Sequence, residues 1–205
     1  MWKWNTEYII EDDFLEQRHF EFLKNLKFEK STGYALLSHS VDREGNIFLT
    51  TNTIPNDLLT DFVKTYTPKL LNYLDRLRPE LKESYTFSDI AVVAIRGNRK
   101  FPIHTDLPNK SLSVVVYISP EDNTGTILYR DKKGKDKYTV EWKPNRALLF
   151  SRTNNSWHSY NSSGNSLRVV LVYNLRNDNI EKVKKIHEER LLIKSQKQIN
   201  QKNNL

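Results

Sequence analysis

The sequence predicts a mainly β domain of α+β type, in which N-terminal helices pack on one sheet of a jelly-roll core. Three observations predict it. Eight short β-like runs follow one another after Tyr85, separated by segments rich in turn-forming residues. Before Tyr85 the apolar residues recur mostly at helical spacing. The β-rich part also holds a His-x-Asp pair, a distant histidine, and an arginine inside an apolar run. Eight short strands in close succession indicate a sandwich or barrel, of which the double-sheet jelly roll is the eight-strand solution, and helices beside such a sheet bury their apolar stripe against it.

In order along the chain, Glu11 to Lys27 reads as a helix, with Phe14, Leu15, Phe22, Leu23 and Leu26 on one face and Asp12 as its cap. Tyr34 to Val41 and Asn46 to Thr51 read as two strands joined through Asp42-Arg43-Glu44-Gly45. Pro55 to Arg78 is a long amphipathic helix stopped by Pro79, with Pro68 as a possible kink. The strands that follow are Phe87–Arg96, Phe101–Asp106, Leu112–Ser119, Thr126–Tyr129, Lys137–Trp142, Ala147–Ser151, Trp157–Tyr160 and Leu167–Leu175. One domain over residues 1–177 is expected, its catalytic core about 86–176, followed by a basic C-terminal helix and polar tail over 178–205.

Composition removes several function classes. The 205 residues include no cysteine, which excludes disulfides, zinc–thiolate sites, iron–sulfur clusters and cysteine nucleophiles. No apolar run reaches the length needed to span a bilayer, so no membrane partner is expected. The N-terminal stretch lacks the basic start and apolar run of a signal peptide, and a cytoplasmic protein is the expectation. The formal charge of +7 is drawn largely from the tail, which points to solubility before recognition.

The chemistry lies in four residues. Side chains alternate along a strand, so His104 and Asp106 would face the same side and could chelate one ion. His158 is the best further ligand, because His19 and His187 fall on predicted surface helices and His39 on an early strand. Two imidazoles and a carboxylate that leave coordination positions open suit a non-haem Fe(II) oxygenase. Arg168 stands in Leu167-Arg168-Val169-Val170-Leu171-Val172-Tyr173, a run that reads as a buried strand. A buried arginine needs an anion. An internal carboxylate, a strand-edge position facing water, or a bound carboxylate ligand would each satisfy it; the guanidinium fork favours the last.

His104-x-Asp106, His158, and Arg168 ten residues later resemble the 2-oxoglutarate- and Fe(II)-dependent oxygenase superfamily, nearest its prolyl-hydroxylase-like branch. Ile95-Arg96-Gly97-Asn98, Val115-Val116-Tyr117-Ile118-Ser119 and Gly125-Thr126 extend the resemblance, which covers roughly Phe87 to Leu175. It implies a double-stranded β-helix, iron held by His104, Asp106 and His158, and O2 as oxidant. It also implies 2-oxoglutarate as co-substrate with its far carboxylate on Arg168, and release of succinate and CO2. The branch often places a tyrosine on the strand before the His-x-Asp pair to help bind that carboxylate. Ile95 or Arg96 stands there in this chain, and the role passes to Tyr117 or Thr126. Halogenases of the superfamily carry a small residue where Asp106 stands, which disfavours halogenation.

The expected reaction is hydroxylation of a protein side chain or a small molecule. A nucleic-acid-directed oxygenase is the less favoured alternative, with Arg99, Lys100, Lys110, Lys132 and Lys133 read as loop cations beside the mouth. A non-catalytic metal-binding jelly roll is the other, and it would need a fourth protein ligand. Phe101, Trp157 and Tyr160 are candidate pocket walls.

Overall fold

The computed structural model describes residues 7–28, 33–51, 53–162, 166–186 and 189. A seven-stranded antiparallel sheet is ordered β1 (Tyr8–Glu11), β9 (Ala147–Phe150), β6 (Lys110–Ser119), β11 (Leu167–Arg176), β4 (Phe87–Arg96), β2 (Tyr34–Asp42) and β3 (Ile47–Leu49). A four-stranded sheet faces it, ordered β5 (Arg99–Lys100), β10 (His158–Ser162), β7 (Thr126–Tyr129) and β8 (Lys137–Thr139). Helices α1 (Gln17–Lys24) and α2 (Asn56–Leu77) cover the other face of the large sheet, and a 3-10 turn spans Pro79–Leu81. This is the predicted mainly β fold with helices on one sheet.

Strand β11 explains the apolar run around Arg168. Its odd positions Val169, Leu171, Tyr173 and Leu175 enter the core shared with the helices. Its even positions Arg168, Val170, Val172 and Asn174 line a cavity between the two sheets. Both faces are buried, so the strand loses the apolar–polar alternation of a half-exposed one. Pairing with β4 sets Arg168 opposite Ile95 and Asn174 opposite Asp89, while β6 sets Ser113 opposite Asn174. A one-residue slip would send Arg168 into the helix-facing core, so both neighbours fix its side.

Two predicted elements differ. The helix predicted over Glu11–Lys27 forms only as α1, Gln17–Lys24, and Glu11 instead ends the unpredicted strand β1, which pairs with β9. The predicted strand Phe101–Asp106 is not a strand; it keeps one isolated bridge, His104 with His158. Pro102 has no N–H to give a ladder, and the extended pairing lapses there. Helix α2 runs from Asn56 to Leu77 with Pro68 inside it. The chain is helical again over 180–186, and the rest of the predicted tail helix, His187 included, lies outside the described residues save 189. Among the described residues no helix is long and apolar enough to cross a membrane.

His19, expected on a surface helix, is fully buried between α1 and α2. Tyr66 donates to its Nδ1 at 2.7 Å, and its Nε2–H donates to Asp61 at 2.8 Å. The Glu16 backbone N–H closes the group on the Tyr66 hydroxyl at 2.9 Å. Removing the ring leaves a void and strands a buried hydroxyl proton, so His19→Ala should lower stability by about 2–3 kcal/mol in urea denaturation. A loss below about 0.5 kcal/mol would mean that this network does not tie the helices together.

Candidate active site

The bridge between His104 and His158 sets two imidazoles side by side. The backbone bonds are reciprocal, His104 N–H to His158 O at 3.0 Å and His158 N–H to His104 O at 2.9 Å. The ring centroids are 4.2 Å apart. Each Nδ1 lies against a backbone carbonyl, Pro102 O at 3.0 Å for His104 and Ser156 O at 2.9 Å for His158. A carbonyl only accepts, so each Nδ1 carries the proton and each Nε2 keeps a free lone pair. The Ser156 carbonyl is held in turn by a tight loop, in which the Ser156 hydroxyl donates to Thr153 O at 3.0 Å and accepts from Thr153 N–H at 3.0 Å.

Asp106 completes the group, and ligand atoms of the three residues lie within 4.8 Å of one another. Its side chain is 9% exposed. One oxygen accepts from Lys110 Nζ at 2.8 Å and the other from Ser113 Oγ at 2.6 Å. Burial alone would raise its carboxyl, but Lys110, His158 and Ser113 outweigh burial and hold it below the ordinary carboxylate value. Burial pushes His158 down, against the opposing pull of Asp106, and so favours the neutral ring that binds metal. Two imidazoles and a carboxylate, with no fourth such side chain in the group among the described residues, fit an iron site with open positions.

Arg168 lies at the other end of β11's cavity face, 1% exposed. Its guanidinium stacks over Tyr160 at 4.7 Å and Trp142 at 5.1 Å. No carboxylate pairs with it among the described residues, and its Nε has no hydrogen-bond partner. Burial pulls it from 12.5 down to about 10. No acid among the described residues satisfies this cation, and its position on the cavity lining suits it to an anionic ligand.

One cavity of about 250 Å³ joins the two features, lined by His104, Asp106 and His158 as well as by Arg168 and Thr126. Val93, Val115, Val170 and Val172 wall the space between them. Tyr117 is not part of that lining; it stands behind it, stacked on Trp142 at 4.5 Å. Its hydroxyl accepts from Thr126 N–H at 2.8 Å. Gly125 makes this approach possible, since a Cβ there would fall 1.9 Å from Val140 O and 3.1 Å from the Tyr117 hydroxyl.

Comparison with solved structures follows the same outline. IDO of Bacillus thuringiensis superposes with a TM-score of 0.61 at 9% identity, over 84% of this chain and 90% of that one. A 2OG-Fe(II) oxygenase family oxidoreductase of Burkholderia pseudomallei gives 0.55 at 12% identity, over 84% and 85%. A prolyl hydroxylase of Trichoplax adhaerens, in complex with a hypoxia inducible factor peptide fragment, gives 0.56 at 14% identity, over 87% and 86%. The chain has the 2OG-Fe(II) oxygenase fold. No protein-family model and no curated protein matches it by sequence.

On this oxygenase fold the four sequence-predicted residues meet in one cavity. Of the predicted walls, Phe101 and Tyr160 line it and stack on each other at 5.1 Å, whereas Trp157 is absent from the lining. Lys110, read as a loop cation at the rim, is instead the first residue of β6 and faces the cavity. Arg99 and Lys100 are exposed on β5, and Lys132 and Lys133 are exposed in the turn after β7. Sequence reasoning missed Ser113, Phe150 and Asn174. The period-two spacing of Ser113 from Val115 and of Asn174 from Arg168 could have shown that they share the cavity face.

Proposed function

We propose that this protein is an Fe(II)- and 2-oxoglutarate-dependent dioxygenase that hydroxylates a protein side chain or a small molecule. The observation that carries the reading is Arg168, a buried cation without a carboxylate partner, in the same cavity as three convergent metal-binding side chains. His104 and His158 through Nε2, and Asp106 through a carboxylate oxygen, would hold the iron. The iron, when bound, supplies the activation of O2.

The chain's own residues do the rest. Arg168 receives the far carboxylate of 2-oxoglutarate, with the Thr126 side chain beside it and Tyr117 fixing Thr126 from behind. The valines of β4, β6 and β11 cover the intervening methylenes and keep water out. The Pro102 and Ser156 carbonyls hold the Nδ1 protons, so that neither imidazole turns its lone pair away from the centre. Substrate approaches past Phe101, which is 42% exposed at the cavity lining. The balance is 2-oxoglutarate, O2 and R–H giving succinate, CO2 and R–OH.

Anaerobic titration of the metal-free protein with Fe(II) and 2-oxoglutarate tests the reading. A weak visible charge-transfer band is expected only when both are present, and His158→Ala should lose it. Metal bound at these residues with no band on adding 2-oxoglutarate would overturn the co-substrate assignment.

A further inference from the structure

The ion pair on Asp106 is unusual for a metal-binding carboxylate. Lys110 Nζ lies 2.8 Å from Asp106 Oδ1, with side chains 18% and 9% exposed. Solvent screens such a pair poorly, so the ammonium acts strongly on whatever binds the carboxylate. Lys110 also lines the cavity that holds both imidazoles and Arg168. We propose that Lys110 is a resident counter-ion of the metal-binding carboxylate, which keeps divalent-metal affinity low until a dianion enters the cavity. The proposal rests on the dioxygenase reading for the metal site.

The charges give the argument its sign. Before a metal enters, Asp106 and Lys110 neutralise each other. A divalent ion on either Asp106 oxygen would lie roughly 4–6 Å from the ammonium, and like charges at that distance repel. Arg168 adds a further cation in the same cavity. A dianionic co-substrate relieves both repulsions, so metal and dianion each favour the other. Lys110 also has somewhere to yield to. Asn174, opposite Ser113 in the register and buried, has an Oδ1 without a partner, and its Nδ2 donates to Asp89 at 3.3 Å. The nearest guanidinium nitrogen of Arg176 is 3.6 Å from that Asp89 carboxylate, which Lys110 also reaches electrostatically.

A purely orienting role for Lys110 predicts the opposite effect. Loosening Asp106 would weaken metal binding, by about 10–100-fold on the usual scale for groups that hold a ligand in place. The experiment is a calorimetric titration of the wild type, Lys110→Met and Lys110→Arg with Co(II), with and without saturating 2-oxoglutarate. Lys110→Met should bind Co(II) alone about 10–100-fold more tightly than the wild type. Saturating 2-oxoglutarate should tighten Co(II) less in Lys110→Met than in the wild type, and Lys110→Arg should behave as the wild type does. Equal or weaker Co(II) binding by Lys110→Met overturns the proposal while leaving the metal site intact. If the wild type binds Co(II) no better than His158→Ala does, the site assignment fails, and the proposal with it. Thermal melting establishes that each variant is folded; should Lys110→Met not fold, Lys110→Gln is held to the same sign.

Discussion

Alanine at Asp106 or at His158 should reduce 2-oxoglutarate turnover by a thousandfold or more, about 4 kcal/mol of barrier, while the protein stays folded. Each substitution removes one of the three side chains that converge within 4.8 Å, and no other His, Asp or Glu among the described residues joins that group to replace it. The fold survives because the local architecture is backbone. The His104–His158 bridge uses main-chain N–H and carbonyl groups, which alanine retains. Asp106→Ala leaves the largely buried Lys110 and Ser113 without their acceptor, so the stability cost should be about 2–4 kcal/mol. His158→Ala loses one bond to Ser156 and an edge contact with Phe150, a cost of about 1–2 kcal/mol. Succinate release and bound-metal content, measured on variants shown by circular dichroism to be folded, decide the matter. Turnover within tenfold of the wild type in either variant would remove the residue from the metal site.

The site was more legible in the chain than the segment that carries it. Arg168 could be read because a guanidinium inside an apolar run contradicts simple burial, and the structure gives that run two buried faces. His104 and Asp106 were legible as a spacing, although the strand inferred to align them does not form. Pro102 interrupts pairing, and what remains is the bridge to His158. Their convergence is therefore a property of two segments far apart in sequence, which local periodicity could not supply. Tyr8 to Glu11 is not legible as a strand because four residues are too few to display a period, and the helical reading begins only at Glu11. His19 lies four residues from both Leu15 and Leu23, on the apolar face of the helix, but the partners that let a polar ring be buried there, Tyr66 and Asp61, come from α2 and are far away in sequence. The role of Lys110 depends on the closure of the cavity around Asp106, and a lysine four residues after an aspartate carries no mark of that.

Arg168→Met should move stability and co-substrate binding in opposite directions. The guanidinium is buried without a carboxylate partner, and methionine fills a similar apolar volume without the charge. Replacing uncompensated buried charge with apolar volume is expected to stabilise the ligand-free protein by about 1–3 kcal/mol. The loss of stacking on Tyr160 and Trp142 opposes this by about 1 kcal/mol, which leaves the sign unchanged over most of that range. Affinity for 2-oxoglutarate should fall by about 2–5 kcal/mol, the scale for removing one partner of a desolvated charge pair. Metal binding without co-substrate should change far less, and only towards tighter, since Arg168 is a cation at the other end of the cavity from Asp106 and Ser113. Thermal melting with Mn(II), with and without 2-oxoglutarate, reads both effects together. The wild type should gain melting temperature on adding 2-oxoglutarate, whereas the variant should start higher and gain almost nothing. A variant that melts lower and still responds to 2-oxoglutarate would mean that Arg168 is a structural cation and that the co-substrate carboxylate is held elsewhere. The wild-type cost is the reason for expecting a ligand: a buried guanidinium without a carboxylate partner among the described residues sacrifices stability that a bound anion would return.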